Sequence, residues 1–175
     1  ETGAGSEEWL IYRGVASPDS DMLEPMGEAW SEVKEVQFAV AVPLDGDSQP
    51  VASETFPLHV YFPTEESPGL HVAVHAEWAL TMDRRRIAGT PEAIEFNRFL
   101  LDSVAEFVAT SVAVDLVERS NRSAASVNVL VPLELGGVDE GSARLANRWR
   151  NLLSGVPFLP FCDNTLRRPV EVQLL

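Results

Sequence analysis

The sequence predicts an α/β fold of the α+β type, with a mixed, mainly antiparallel sheet of about four to six strands backed by one long and one shorter helix. Three observations carry this reading. Apolar residues alternate with polar or small ones in successive runs between Lys34 and Met82, apolar residues then recur at helical spacing from Pro91 to about Ser120, and a second helical pattern follows at Glu140 to Leu153.

Trp9 to Gly14 reads as a first short strand, and the Ser, Pro, Asp and Gly-rich stretch from Ala16 to about Glu28 reads as a long loop with one helical turn. Lys34 to Leu44 is a strand, with Val36, Phe38, Val40 and Val42 on one face and Gln37, Ala39 and Ala41 on the other. Asp45 to Pro50 supplies the turn residues for a reversal, and Phe56, Leu58, Val60 and Phe62 mark the next strand. Two prolines and a glycine in Pro63 to Gly69 break that pattern. The longest alternation follows. Leu70, Val72, Val74, Ala76, Trp78, Leu80 and Met82 share one face, while His71, Ala73, His75, Glu77, Ala79 and Thr81 share the other. Three successive strands with short breaks predict an antiparallel meander with one face on the core.

Thr90-Pro91 starts the long helix: a hydroxyl precedes it to cap free N–H groups, and proline takes the first position, where its missing N–H costs nothing. Ile94, Phe99, Leu101, Val104, Phe107, Val108, Val112 and Leu116 then follow at helical spacing, in a helix broken at most once. Ser126 to Leu135 is a further strand candidate weakened by Pro132, and Leu135-Gly136-Gly137 is a turn. The helical pattern from Glu140 ends at Gly155, and the tail holds two short strand candidates around Pro160 and Pro169. The whole reads as one domain over residues 1–175, with the strand and mobile loop in 1–33, the meander in 34–87, the long helix in 90–120 and an α/β part in 126–175.

Composition narrows the function. Apolar content of 45% and charged content of 23% are those of a globular domain. A net charge of −14 argues against nucleic acid or an acidic membrane as partner, since both are polyanions. Cys162 has no second cysteine to pair with, Glu1 to Glu8 lack the features of a signal peptide, and no apolar run is long enough to span a bilayer, so a cytoplasmic location is expected. The absence of an initiator Met is read as a segment of a longer chain.

No complete active site is visible. His71 and His75, four apart on a strand, are separated by roughly 13 Å and cannot share a metal. His75 and Glu77 with His59 from a neighbouring strand could hold one, which keeps a metal-dependent hydrolase as a third reading; the more ordinary reading of that face is a polar surface or one packed against a partner. No Gly-x-Ser-x-Gly elbow and no phosphate-cradling glycine loop occurs, so no nucleotide or other cofactor is expected to bind to this segment alone.

Asp83-Arg84-Arg85-Arg86-Ile87 differs in kind. Three adjacent guanidiniums repel one another, yet their forks suit bidentate contact with phosphate or carboxylate. They serve either an outside anion or local acids such as Glu65, Glu66, Asp83 and Glu92.

The order Phe56-Pro57-Leu58-His59-Val60-Tyr61-Phe62-Pro63-Thr64-Glu65-Glu66, then Leu70 through His75-Ala76-Glu77-Trp78-Ala79-Leu80-Thr81, then Asp83-Arg84-Arg85-Arg86-Ile87, resembles the segment that follows the ATP-binding domain in sacsin-like ATPases, relatives of the ninety-kilodalton heat-shock chaperone. The resemblance covers about thirty residues strongly. It implies a non-catalytic coupling (middle-type) domain of a larger ATPase, with ATP and Mg held by an upstream nucleotide-binding domain of the same chain. Arg84 and Arg85 fall on the family's Arg-Arg step and are the implied phosphate contacts. Arg86 lies one beyond it. The alternative is a protein-interaction module with no nucleotide role, facing a client or a second copy of itself through His71, His75 and Glu77.

Overall fold

A computed structural model describes residues 8–133, 140–163 and 165–172. Two long strands, β1 (Glu8–Ala16) and β2 (Val36–Leu44), pair antiparallel along their whole length, from Glu8 opposite Leu44 to Ala16 opposite Val36. Between them the chain makes two single-turn helices, α1 (Ser20–Leu23) and α2 (Glu28–Ser31), around a 3₁₀ turn at Glu24–Met26, where a loop with one helical turn was expected. Leu23 is buried, and Trp30 meets Phe96 edge to face at 5.0 Å, so this stretch is anchored to the core.

The remaining sheet strands are β3 (Leu58–Val60), β4 (Phe62–Pro63) and β5 (Ala73–Ala76), in the spatial order β1-β2-β5-β3-β4. The sheet is mixed and mainly antiparallel, in an α+β fold. It is not the meander that chain order predicts. β5 lies beside β2, and β3 pairs with β5 in parallel, Leu58 with Val74 and His59 with His75.

The reason is the wrap of residues 61–72 around β3. Tyr61 reverses the chain at φ +56°, Leu58 N–H donates to the Glu66 carbonyl, and the Thr64 hydroxyl donates to the Leu58 carbonyl. The chain thus returns alongside β3, and a parallel pair needs such a crossover. Leu70, Val72, Val74, Ala76 and Trp78 are all at most 3% exposed, so the most apolar strand takes the central position. Its alternation persists from Leu70, but ladder pairing is confined to Ala73–Ala76, with single bridges from Leu70 to Phe56 and from Leu80 to Ile87.

Gly14 marks a close approach within the sheet. A Cβ there would lie 2.3 Å from the Phe38 ring, so glycine is what lets that ring lie over β1 and meet Phe107 edge-on at 5.3 Å.

The long helix runs without interruption through α3 (Pro91–Phe107), a π-helical stretch at Val108–Val112 and α4 (Ala113–Arg119). After Ala93 its buried residues come in adjacent pairs, 96/97, 100/101, 104/105, 108/109, 112/113 and 116/117, always four apart. On an α-helix of 3.6 residues per turn, each four-residue step advances the stripe by about 40°. Five such steps would carry it round to the opposite side. The wider i→i+5 turn at Val108–Val112 unwinds the helix locally and keeps the later pairs on the core.

Ser126 to Leu130 is helical, where a strand was expected. In α5 (Ala124–Leu130) the Ser123 hydroxyl accepts from Ala125 N–H, and Ser126, Val129 and Leu130 are buried at helical spacing. Val131 leaves the helix in an extended conformation because the following Pro132 disfavours α geometry before it. The expected turn at Leu135-Gly136-Gly137 lies outside the described residues.

α6 (Glu140–Ser154) runs parallel to α3, and three ion pairs join them in a constant register: Arg98–Glu140, Arg144–Asp102 and Arg148–Glu106. Trp149 is 1% exposed and donates its indole N–H to the Leu130 carbonyl, which ties α6 to the end of α5. The tail forms a hairpin of β6 (Leu159–Pro160) and β7 (Leu166–Arg167). The expected strand around Pro169 is a 3₁₀ turn, Pro169–Glu171, as suits a residue with no N–H for a ladder.

One sheet face, bearing Val36, Phe38, Val40, Val42, Leu58, Val74 and Ala76, joins the helices in a single core. The other face carries Ile11, Arg13, Val15, Ala39, Ala41, His75 and Glu77 and has no helix over it among the described residues.

Candidate functional site

The arginine cluster occupies a hairpin whose backbone is fixed from several directions. Ala88 N–H donates to the Ala79 carbonyl at 2.8 Å, Thr81 N–H to Arg86 at 2.9 Å and Arg84 N–H to Thr81 at 2.8 Å. Asn97, 3% exposed on α3, accepts from Ala79 N–H and donates to the carbonyls of Ala79 and Ala88, each at 2.9 Å. One side chain therefore clamps both legs of the hairpin to the long helix. From the β4 side, Glu65 N–H donates to the Arg85 carbonyl at 2.7 Å and the Glu66 carboxylate accepts from Ile87 N–H at 3.2 Å.

At the tip, Asp83 accepts from the Thr81 hydroxyl at 2.6 Å and from Arg85 N–H at 3.1 Å. These bonds, the hydroxyl's first, hold its carboxyl below the ordinary carboxylate value. Arg84 sits there at φ +59°, a left-handed geometry that costs a non-glycine residue about 1 kcal/mol and persists because the surrounding bonds over-determine it.

The three guanidiniums separate into two groups. Arg85 and Arg86 both turn to Glu65, at 3.3 Å and 3.2 Å. Arg84 has no acidic partner among the described residues, and Met82 beside it is fully exposed. The local-acid role thus holds for Arg85 and Arg86 through Glu65. It does not hold for Arg84.

The open sheet face is the second candidate. The pairing register lines up Arg13, Ala39, His75 and His59 in one row across β1, β2, β5 and β3, with Ile11, Ala41 and Ala73 in the next. Glu77 lies on the far side of that row beside Gln37 and Val15. His59 is partly buried, and this burial holds its imidazole below the ordinary value; the Pro57 backbone opposes the shift and neighbouring His75 adds to it. Tyr61 stands 78% exposed and meets His75 edge to face at 5.7 Å.

His71 does not share this face. It is buried just before β5, with Nδ1 2.8 Å from the Glu54 carbonyl. Among the described residues no three His, Cys, Asp or Glu side chains are grouped to hold a metal, so His59, His75 and Glu77 do not form the ligand set that their spacing allowed. Cys162 is exposed in the tail.

Sequence reasoning missed Asn97, Glu65 as the single acid that takes two arginines, and Arg13. Arg13 had a readable signal, since it sits between Ile11 and Val15 on the alternation of β1. Asn97 had only the weak signal of a polar residue on the apolar stripe of a helix.

Comparison of the chain with family models, curated proteins and solved structures found no match. Among the described residues no helix is long and apolar enough to cross a membrane.

Proposed function

We propose that the chain is a non-catalytic coupling domain of a larger ATPase of the sacsin-like or heat-shock-chaperone-like class, and that its arginine hairpin meets the phosphates of ATP-Mg held by an upstream nucleotide-binding domain. The observation that supports this most is Arg84, a guanidinium with no acidic partner among the described residues, on a braced, left-handed tip in a chain of net charge −14. A cation held in an ion pair would be partly neutralised, and one on a floppy loop would lose entropy on docking; Arg84 has neither handicap, since the neighbouring Asp83 turns to Thr81 and Arg85 N–H.

Arg85 stands next to it in a different state. Its pairing with Glu65 draws it back from the tip and relieves the repulsion between neighbouring guanidiniums, so Arg84 makes the primary contact and Arg85 the secondary one. Charge supplied from a second domain to a terminal phosphate acts on the transition state, where arginines of this kind are worth on the order of 10³-fold or more in turnover.

The test is ATP turnover by the full-length protein carrying Arg84→Ala or Arg85→Ala. The expected outcome is a loss of about 10³-fold for Arg84→Ala and a smaller loss for Arg85→Ala. Turnover unchanged in both variants would sink the phosphate-contact role.

A further inference from the structure

The open sheet face is shaped as a groove. Its floor is β2, with Gln37, Ala39 and Ala41, extended onto β5 by Ala73. One wall is Ile11, Arg13 and Val15 on β1, and the other is His75 on β5 and Glu77 just past its end, with His59 and Tyr61 behind them. The groove encloses about 730 Å³. Strands lie about 4.8 Å apart, so the wall side chains are rooted roughly 10 Å apart on either side of β2, far enough for a helix lying over β2 to contact both rows. From Gln37 to Ala41 the floor runs roughly 13 Å, which two to three helical turns would cover.

The walls are charged with opposite sign, and both charges are exposed. The side chains of Arg13 and Glu77 make no ion pair or hydrogen bond to any described residue. Most arginines in this acid-rich chain do find a carboxylate, as Arg98, Arg119, Arg144, Arg148 and Arg167 show. Apolar surface is exposed alongside, with Ile11 47% and Val15 56% accessible.

We infer that this groove seats an amphipathic helix of a partner. The helix lays a stripe of small and medium apolar residues on Ala39, Ala41 and Ala73, places an acidic residue against Arg13 on one flank and a basic residue against Glu77 on the other. A second copy of the chain fits worse, because two such grooves set face to face would hold their alanine floors apart and leave a cavity between them. The seated helix converts a two-layer domain into a three-layer one and covers the only sheet face that the described helices leave bare. Nothing in this inference depends on the arginine hairpin or on nucleotide.

The test uses a synthetic helical peptide of roughly 18 residues with a Leu/Ala stripe, Glu along one flank and Lys along the other, titrated into the chain with amide NMR shifts and fluorescence anisotropy as readouts. The expected result is saturable binding with shifts centred on Ala39, Ala41 and His75. Ala39→Trp, which fills the groove, should weaken it at least about tenfold, and Arg13→Glu severalfold, while Arg13→Lys keeps it. Ala41→Trp is the second groove-filling variant, and unfolding midpoints near wild type show that each is folded. Three results would overturn the inference: affinity indifferent to both tryptophans, no saturable binding up to millimolar peptide, or a dimer of the chain alone that Ala39→Trp abolishes in sedimentation equilibrium.

Discussion

At the residue scale the arginine hairpin depends on Asn97 more than on any arginine. Its amide satisfies Ala79 N–H, Ala79 C=O and Ala88 C=O in a site closed to water. Asn97→Ala removes three bonds and leaves two buried backbone groups, Ala79 N–H and Ala88 C=O, without partners, each with a desolvation cost, while the Ala79 carbonyl keeps the bond from Ala88 N–H. The expected loss is about 3 kcal/mol of unfolding free energy, measured by urea denaturation, with hydrogen exchange at Ala79 and Ala88 accelerated more than in β1 and β2. A loss below about 0.5 kcal/mol, the range of ordinary surface substitutions, would mean that the hairpin is held by its other bonds. The arginines themselves were legible as a cluster because three like charges in a row stand out in any chain. Their division into one free and two held was not, since it turns on Glu65, about twenty residues away, and on a left-handed backbone at Arg84 that no propensity indicates. The burial of His71 was hidden for a similar reason: strand alternation assigns it to the face of His75, and only the bend before Ala73 turns it inward.

At the element scale, local patterns were readable and pairings were not. The long helix announced itself through Thr90-Pro91 and its apolar spacing, and the strand face Val36, Phe38, Val40, Val42 is the core face that its alternation predicts. The parallel partnership of β3 and β5 had no local signature, because it rests on how residues 61–72 fold around β3. α5 was obscured by the β-branched residues Val127, Val129 and Val131, whose strand preference Ser123 overrides by capping a helix. The π-helical stretch is the element whose sequence basis can be tested directly. If it exists to keep pairs spaced by four on the core, inserting one alanine after Thr110 should rotate Val112, Ala113, Leu116 and Val117 by about 100° away from their sites. The insertion should cost about 3 kcal/mol or more, as burying polar residues and emptying core sites does, while Thr110→Ala at this exposed position stays within about 0.5 kcal/mol. Equal stability of the insertion and the substitution, by thermal and urea unfolding, would show that the helix re-registers freely and that the spacing carries no constraint.

For the whole molecule the governing quantity is charge. Twenty-seven acidic residues face thirteen basic ones, so the folded state concentrates a formal charge of −14. Two electrostatic effects oppose each other. The ion pairs between α3 and α6 favour the fold, but exposed pairs are worth only about 0–1 kcal/mol each and are weakened by salt. Repulsion among the excess carboxylates disfavours the compact state and is also weakened by salt, but it acts between many charges at once and over longer distances. Screening removes long-range terms first: the Debye length falls from about 30 Å at 0.01 M salt to about 10 Å at 0.1 M, while contacts near 3 Å lie well inside either. Repulsion therefore loses more than the pairs do, and added salt should stabilise this chain. The expected outcome is a Tm that rises by a few degrees between about 0.01 M and 0.2 M NaCl, with most of the rise complete by about 0.1 M, where the Debye length has already become shorter than the domain. Replacing Glu32 and Glu35, exposed acids with no partner among the described residues, by Gln should raise Tm at low salt and reduce its salt dependence. A Tm that falls with salt would reverse the ranking and assign the fold's electrostatic balance to the interhelical ion pairs.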